Sequence, residues 1–217
     1  MKVIGVGFGR SGTMSIKYAL EEVGAGPCFH MIDLIRNNEL IPPWHDAAIK
    51  GDVDFDRMFD GFQSTIDWPG CSYWRELIEY YPDSPVLLNY RDFDGFYKSC
   101  TNTIYAVREA AMKGELDDSG SESPPPPELW QVIGKLIWEG DFQGRFEDKE
   151  FVRGLYHDRI EQIKATVPAE RLTTFELGVD GWETIAGMLG IEAPAGEFPH
   201  MHDTDEFRAE FGLPALA

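Results

Sequence analysis

Lys2-Val3-Ile4-Gly5-Val6-Gly7-Phe8-Gly9-Arg10-Ser11-Gly12-Thr13 decides the fold. The β-branched residues of 2–8 read as a short buried strand, and the glycines that close it permit a tight turn. Beyond the turn, Met14, Ile16, Ala19, Leu20 and Val23 recur at helical spacing over 12–23. A strand, a glycine loop and a helix N-terminus in succession form an anion site, because loop N–H groups and the helix dipole converge on one spot. The loop therefore predicts a phosphorylated or sulfated ligand. The plainer alternative is a turn that only lets strand and helix pack closely.

Outward from this unit the alternation continues. Further strand-like runs lie at 28–32, 64–67, 85–91 and 171–177, and helical spacing at 73–81, 93–112, 151–166 and 182–189. Strands alternating with helices predict an α/β fold with a parallel sheet covered on both faces. A chain of 217 residues suffices for one well-buried domain, 1–217, and is short for two. Residues 114–127 (GELDDSGSESPPPP) are acidic and proline-rich, so they predict either a solvated linker between two helices or a lid.

Composition removes several function classes. The net charge of −19 repels nucleic-acid phosphates and anionic membrane surfaces, so neither is an expected partner. No apolar run approaches the roughly 20 residues that span a bilayer. Residues 1–7 lead straight into the glycine turn, which predicts no secretory leader. Cys28, Cys71 and Cys100 have unrelated spacings that suggest neither disulfides nor zinc, and a reducing cytoplasm is the expected location. A homodimer is compatible with the sequence. The negative field also means that an anionic ligand must be held by a few local cations and backbone N–H groups.

Three ligand classes compete for the loop. An ATP or GTP loop needs Lys directly after its second glycine, whereas Gly12 is followed by Thr13 and Met14. A dinucleotide, as in an NAD(P)-binding oxidoreductase, fits the spacing of Gly7, Gly9 and Gly12, with Asp33 about 20 residues on as the ribose acid. That reading gives no reason for Arg10, Ser11 and Thr13, whose donors suit a tetrahedral anion.

Arg10-Ser11-Gly12-Thr13 resembles the 5′-phosphosulfate loop of sulfotransferases that use 3′-phosphoadenosine 5′-phosphosulfate (PAPS). Arg91, at the end of Leu87-Leu88-Asn89-Tyr90-Arg91-Asp92, and Ser99, eight positions on, match the family's pair for the 3′-phosphate. An Arg fork at a strand end suits a phosphate, and a serine two helical turns away adds a hydroxyl donor. Cys28-Phe29-His30-Met31, Ile66-Asp67-Trp68-Pro69, Tyr73-Trp74-Arg75-Glu76-Leu77, Tyr81-Pro82-Asp83, Gly181-Trp182-Glu183 and Phe198-Pro199-His200 look like landmarks of a small-enzyme branch with a Gly-Arg-Ser/Thr-Gly-Thr loop. The resemblance covers nearly the whole chain. It implies a three-layer fold like that of P-loop NTPases, a central parallel sheet of about five strands, and sulfuryl transfer from PAPS to a small acceptor. Three departures stand out: Arg10 where many relatives have Lys, Ser15 where many have an adenine-stacking Trp, and no C-terminal Arg-Lys-Gly.

The resemblance implies that Gly9, Arg10, Ser11, Gly12, Thr13, Met14, Ser15, Arg91 and Ser99 bind PAPS or its product 3′,5′-bisphosphoadenosine (PAP). Arg10 is expected to stabilise the charge of the transition state, with Lys17 either assisting or solvated. Asp67 at the third strand end is the first candidate for the general base and His30 the second, His30 also being a candidate to hold the acceptor. Phe8, Trp68 and Tyr105 are expected to wall an apolar acceptor pocket suited to an alcohol, phenol or amine. No metal is expected; His200, His202, Asp203 and Asp205 could chelate but lie in a proline-flanked tail. A nucleotide-binding protein that has lost catalysis is the non-enzymatic alternative.

Overall fold

A computed structural model describes residues 1–115, 125–201 and 204–216. Most of the acidic, proline-rich stretch, and His202 and Asp203 of the chelation set, lie outside the described residues. Five strands form one sheet: β1 (Val3–Gly5), β2 (Cys28–Phe29), β3 (Ser64–Thr65), β4 (Val86–Tyr90) and β5 (Leu172–Glu176). Their order is β2-β3-β1-β4-β5 and every pairing is parallel, with Ile4 opposite both Thr65 and Val86, and Val86 opposite Leu172.

The helices are α1 (Thr13–Glu22), α2 (Met31–Arg36), α3 (Ile41–His45), α4 (Phe55–Met58), α5 (Trp74–Tyr80), α6 (Phe93–Cys100), α7 (Ala106–Lys113), α8 (Pro127–Ile133), α9 (Lys149–Thr166), α10 (Trp182–Leu189) and α11 (Thr204–Glu210). The helix expected over 93–112 is α6 and α7 joined through a wider π-type turn, Thr101–Tyr105. Helices over 31–58 and 127–141 were not legible from spacing. Pro42 and Pro43 look like breakers, yet they occupy the first turn of α3, where a missing N–H costs nothing.

Side chains alternate across the sheet and build a layer on each face. Ile4, Val86 and Leu88 join Phe29, Trp44, Trp74, Leu129 and Ile163 on one face. Val3 and Leu87 join Ile16, Leu20, Phe175 and Ile185 on the other, under α1 and α10. Both faces are thus dry, which is the burial that a parallel sheet requires. A third cluster, largely aromatic, holds Phe8, Trp68, Phe96, Phe142 and Tyr156 beneath the loop after β1.

This packing weighs against the dinucleotide alternative. In a dinucleotide-binding sheet β2 lies next to β1, which lets its terminal acid reach the ribose. Here β3 lies between them, and Asp33 accepts from the His30 N–H at 2.8 Å and pairs with Lys17 at 3.2 Å. Lys17 is itself buried, donating to the Cys28 carbonyl and to Glu21 at 3.0 Å. It is not a solvated lysine; it ties α1 to β2.

β1 and β4 approach so closely at Gly7 that an added Cβ would overlap the Asn89 carbonyl. Gly7→Ala should therefore lower stability by about 3 kcal/mol, the upper end for overpacking, in urea unfolding followed by circular dichroism.

Candidate active site

Every strand ends at the same edge of the sheet, and each delivers part of the site there. The loop 6–12 follows β1, His30 follows β2, Asp67 lies just past β3, Arg91 follows β4 and Leu177 follows β5. This is the edge at which open α/β sheets bind ligands. A cavity of about 1310 Å³ opens above it, lined by Arg10, Gly12, Thr13, Met14, Ser15, His30, Asp67, Trp68, Arg91 and Ser99 among others. Gly9 and Ser11, also expected at the ligand, lie behind that surface.

The loop is shaped by crowding. Gly9 has no room for a Cβ, because the Asp67 carboxylate and the Trp68 ring occupy that space. Gly12 takes φ 80°, and a Cβ there would lie 2.7 Å from the Leu177 side chain. Two of the three non-glycine residues in the left-handed region among the described residues lie at this site, Arg10 at φ 61° and Asp67 at φ 74°. Such backbones cost on the order of 1–3 kcal/mol each and persist where their surroundings over-determine them. Asn89, buried in β4, supplies one such constraint by donating to the Phe8 carbonyl at 3.1 Å and the Ser11 carbonyl at 3.5 Å. A polar residue inside an otherwise apolar strand was its signal in the sequence.

Asp67, Thr13 and His30 form one hydrogen-bonded group. The Thr13 hydroxyl donates to Asp67 Oδ1 at 3.1 Å and lies 3.1 Å from His30 Nε2, which is 3.5 Å from Asp67 Oδ2. His30 also caps α2, its Nδ1 accepting from the Ile32 N–H at 3.1 Å. That bond occupies the Nδ1 lone pair and places the proton of the neutral ring on Nε2, facing Thr13 and Asp67. Burial pushes the Asp67 carboxyl up to about 7 despite the Thr13 hydroxyl, the Arg10 charge and the backbone N–H groups of Met31 and Trp68, all of which favour ionisation.

On the cavity's other wall, Arg10 donates from Nε to Ser99 Oγ at 3.3 Å, and its guanidinium lies 4.7 Å from the centre of the Phe207 ring. Arg91 is fixed by its backbone, which both donates to and accepts from the Tyr156 hydroxyl, at 3.1 and 3.0 Å. Its Nε is buried without a hydrogen-bond partner among the described residues, and Gly95 leaves the space its guanidinium fills. A buried donor in that state fits an incoming phosphate oxygen. Arg91 and Ser99 thus share the cavity, with Ser99 engaged by Arg10. Ser15, standing where a stacking Trp was looked for, accepts from the Met201 N–H at 3.1 Å.

Two expected acceptor contacts are corrected by the structure. Phe8 is buried behind the loop, stacked on Trp68 at 5.7 Å and Phe96 at 5.9 Å, and does not line the cavity. Tyr105 packs on Trp138 and Phe146 and is also off the cavity surface. Sequence reasoning missed Asp141 and Arg159, which form a largely buried pair at 3.3 Å beneath the site. Asp141 accepts from Trp68 Nε1 at 2.8 Å and Ser72 Oγ at 2.6 Å, and the Arg159 guanidinium lies 4.8 Å from the Phe8 ring centre. Neither residue carries a local motif, so only the packed structure reveals them.

Because the folded Asp67 binds its proton more tightly than an unfolded Asp, with an ordinary value of 3.8, the folded state gains relative stability below that value. The gain is lost as pH rises toward about 7, where the buried carboxylate must ionise. Asp67→Asn removes that penalty. Its melting temperature should match wild type near pH 4 and exceed it increasingly up to about pH 7–8, as read by differential scanning calorimetry across pH.

With this geometry in place, the relatives are informative. A family model described as a sulfotransferase domain matches residues 2–207. The chain is also similar to Ava biosynthesis cluster protein M of Aspergillus versicolor, at 28% identity over 94% of this chain and 82% of that protein. A parallel sheet with a glycine loop after β1 and a family match over nearly the whole length agree, and the chain belongs to the sulfotransferase family.

Proposed function

We propose that the protein moves the sulfuryl group of PAPS to the hydroxyl of a small molecule, with Asp67 as general base. The observation that carries this reading is Asp67 itself: a buried carboxylate, hydrogen-bonded to the loop's Thr13, on the wall of the cavity that also holds Arg10 and Arg91. In the reaction the acceptor oxygen forms a bond to sulfur as the bond from sulfur to the bridging phosphate oxygen breaks. The electron pair leaves with PAP, and the acceptor's proton passes to Asp67. Arg10 and the loop N–H groups face the charge that develops on the bridging and sulfuryl oxygens, a role worth about 3–4 kcal/mol per donor. Arg91 supplies a fork for the 3′-phosphate. No step needs a metal.

A carboxyl near 7 is well matched to this task, since it is substantially ionised at neutral pH and still basic enough to take a proton. His30 is suited to a different one. Its Nδ1 lone pair is held by α2 and its Nε2 carries the proton, so it donates to the Thr13–Asp67 group and orients it. The three cysteines, buried as free thiols, fit work in a reducing compartment such as the cytoplasm. No helix among the described residues is long and apolar enough to cross a membrane.

Ligand binding tests the donor. PAP and PAPS should raise the melting temperature while NAD and ATP do not. Arg91→Ala should lose about 2–5 kcal/mol of PAP affinity and with it the preference for PAP over adenosine 5′-phosphate, measured by calorimetry. Stabilisation by NAD alone would remove the sulfuryl-donor reading, and PAP binding without transfer to any acceptor would leave a nucleotide-binding protein.

Single-turnover sulfate transfer at saturating PAPS tests the base. Asp67→Asn should slow transfer roughly a hundredfold or more while leaving PAP affinity nearly intact. The wild-type rate should climb with pH and level off above about 7, as Asp67 ionises. His30→Ala should have the smaller effect; collapse there with near-normal transfer in Asp67→Asn would reverse the two roles.

A further inference from the structure

The cavity is larger than the donor alone needs. At about 1310 Å³ it exceeds the roughly 300–1,000 Å³ typical of a pocket for one small ligand. Arg91, Ser99 and the loop occupy one end. Much of the remaining wall comes from five helical segments: Ile35 of α2, Ile104 of the π-type turn, Val107 of α7, Leu129 and Ile133 of α8, and Phe207 of α11. All six side chains are hydrocarbon.

Arg36 and Glu210 border this apolar wall and face each other, and Asp180 and His200 also lie on the cavity surface. Arg36 of α2 and Glu210 of α11 pair at 2.9 Å. α11 is fixed from its other side by Arg208, which donates to the Asn102 carbonyl at 2.5 Å and the Pro214 carbonyl at 2.6 and 2.8 Å. The helix so held lays Phe207 across the Arg10 guanidinium, which brings the apolar wall to the reacting end of the loop. Asp67 and Trp68 form part of the same cavity surface.

Resting on the donor reading above, we propose that this chamber selects an uncharged, apolar hydroxyl compound, its hydrocarbon body between α2, α7, α8 and α11 and its hydroxyl at Asp67, with Phe207 as a specificity-determining residue. The charge logic is direct. An ammonium bound here would lose its hydration against hydrocarbon and sit near the Arg10 cation, short-range costs set against the screened attraction of a −19 protein, while a carboxylate would lose hydration too and meet that field as repulsion. Arg36 and Glu210, being paired, offer compensation to neither. A neutral ring or alkyl body avoids all three costs and gains burial.

A matched series isolates the point: 4-ethylphenol, tyramine and 4-hydroxyphenylacetate share ring and hydroxyl and differ in the charge of the tail. Each is titrated by calorimetry into protein saturated with PAP, and single-turnover transfer from PAPS is followed for each. 4-Ethylphenol should bind at least tenfold more tightly than either charged analogue and be the preferred acceptor. Phe207→Ala should weaken 4-ethylphenol at least fivefold, in protein whose PAP-induced melting shift shows that it is folded and donor-competent. Equal or tighter binding of tyramine assigns selection to Glu210 and the acidic surface, and equal or tighter binding of the carboxylate assigns it to Arg36. Either result, or unchanged affinity in Phe207→Ala, overturns the proposal while the donor reading stands on PAP binding. Failure of PAP to bind removes both.

Discussion

The structure is organised around a carboxylate kept out of water. Asp67 lies against the Gly9 backbone, takes a hydrogen bond from Thr13, and has a left-handed backbone of its own. Burying a carboxyl in this way favours its neutral form, and only specific donors restore part of its acidity. Those donors come from three strand ends: Thr13 after β1, the Met31 N–H after β2 and the Trp68 N–H after β3. The sheet order that sets β3 between β1 and β2 is what makes this convergence geometrically available.

Support for the site is layered beneath it. Asn89 holds the loop carbonyls from below, and Tyr156 holds the backbone of Arg91. The Arg159–Asp141 pair lies under Trp68 and Phe8, its hydrogen bonds shared with Trp68 and Ser72. A buried ion pair is weak evidence for stability, since desolvation offsets much of its attraction. What it does here is orient: Asp141 fixes the Trp68 indole, and Trp68 forms part of the cavity surface next to Asp67. Arg10 and Arg91 bring positive charge to one cavity of a strongly acidic protein, where Asp67, Asp180 and Glu210 lie on the same surface.

The C-terminal part of the chain completes the enclosure. Met201 binds Ser15 at the start of α1, and α11 spans from Arg36 to Asn102 while placing Phe207 on Arg10. The Arg10 side chain therefore contacts an aromatic ring on one side and the Ser99 hydroxyl on another, which restricts its rotamers.

By itself the sequence determined the features that depend on neighbours along the chain. The strand, glycine loop and helix of 2–23 could be read because turn chemistry and the change of period from two to 3.6 are local signals. The five strands were legible for the same reason, and Arg10 and Thr13 stood out as donors within the loop, whereas Arg91 was singled out by the resemblance of 87–92 to a family motif. Tertiary structure alone decided which strand lies beside which, and so which acid reaches the loop: Asp67 from β3, while Asp33 serves as a helix cap and a partner for Lys17. It also turned Phe8 inward, buried Lys17, and drew the chamber wall from helices some 170 residues apart, from Ile35 to Phe207. Those outcomes follow from competition for buried space and from compensation of buried charge, and both are set by contacts between residues far apart in the chain.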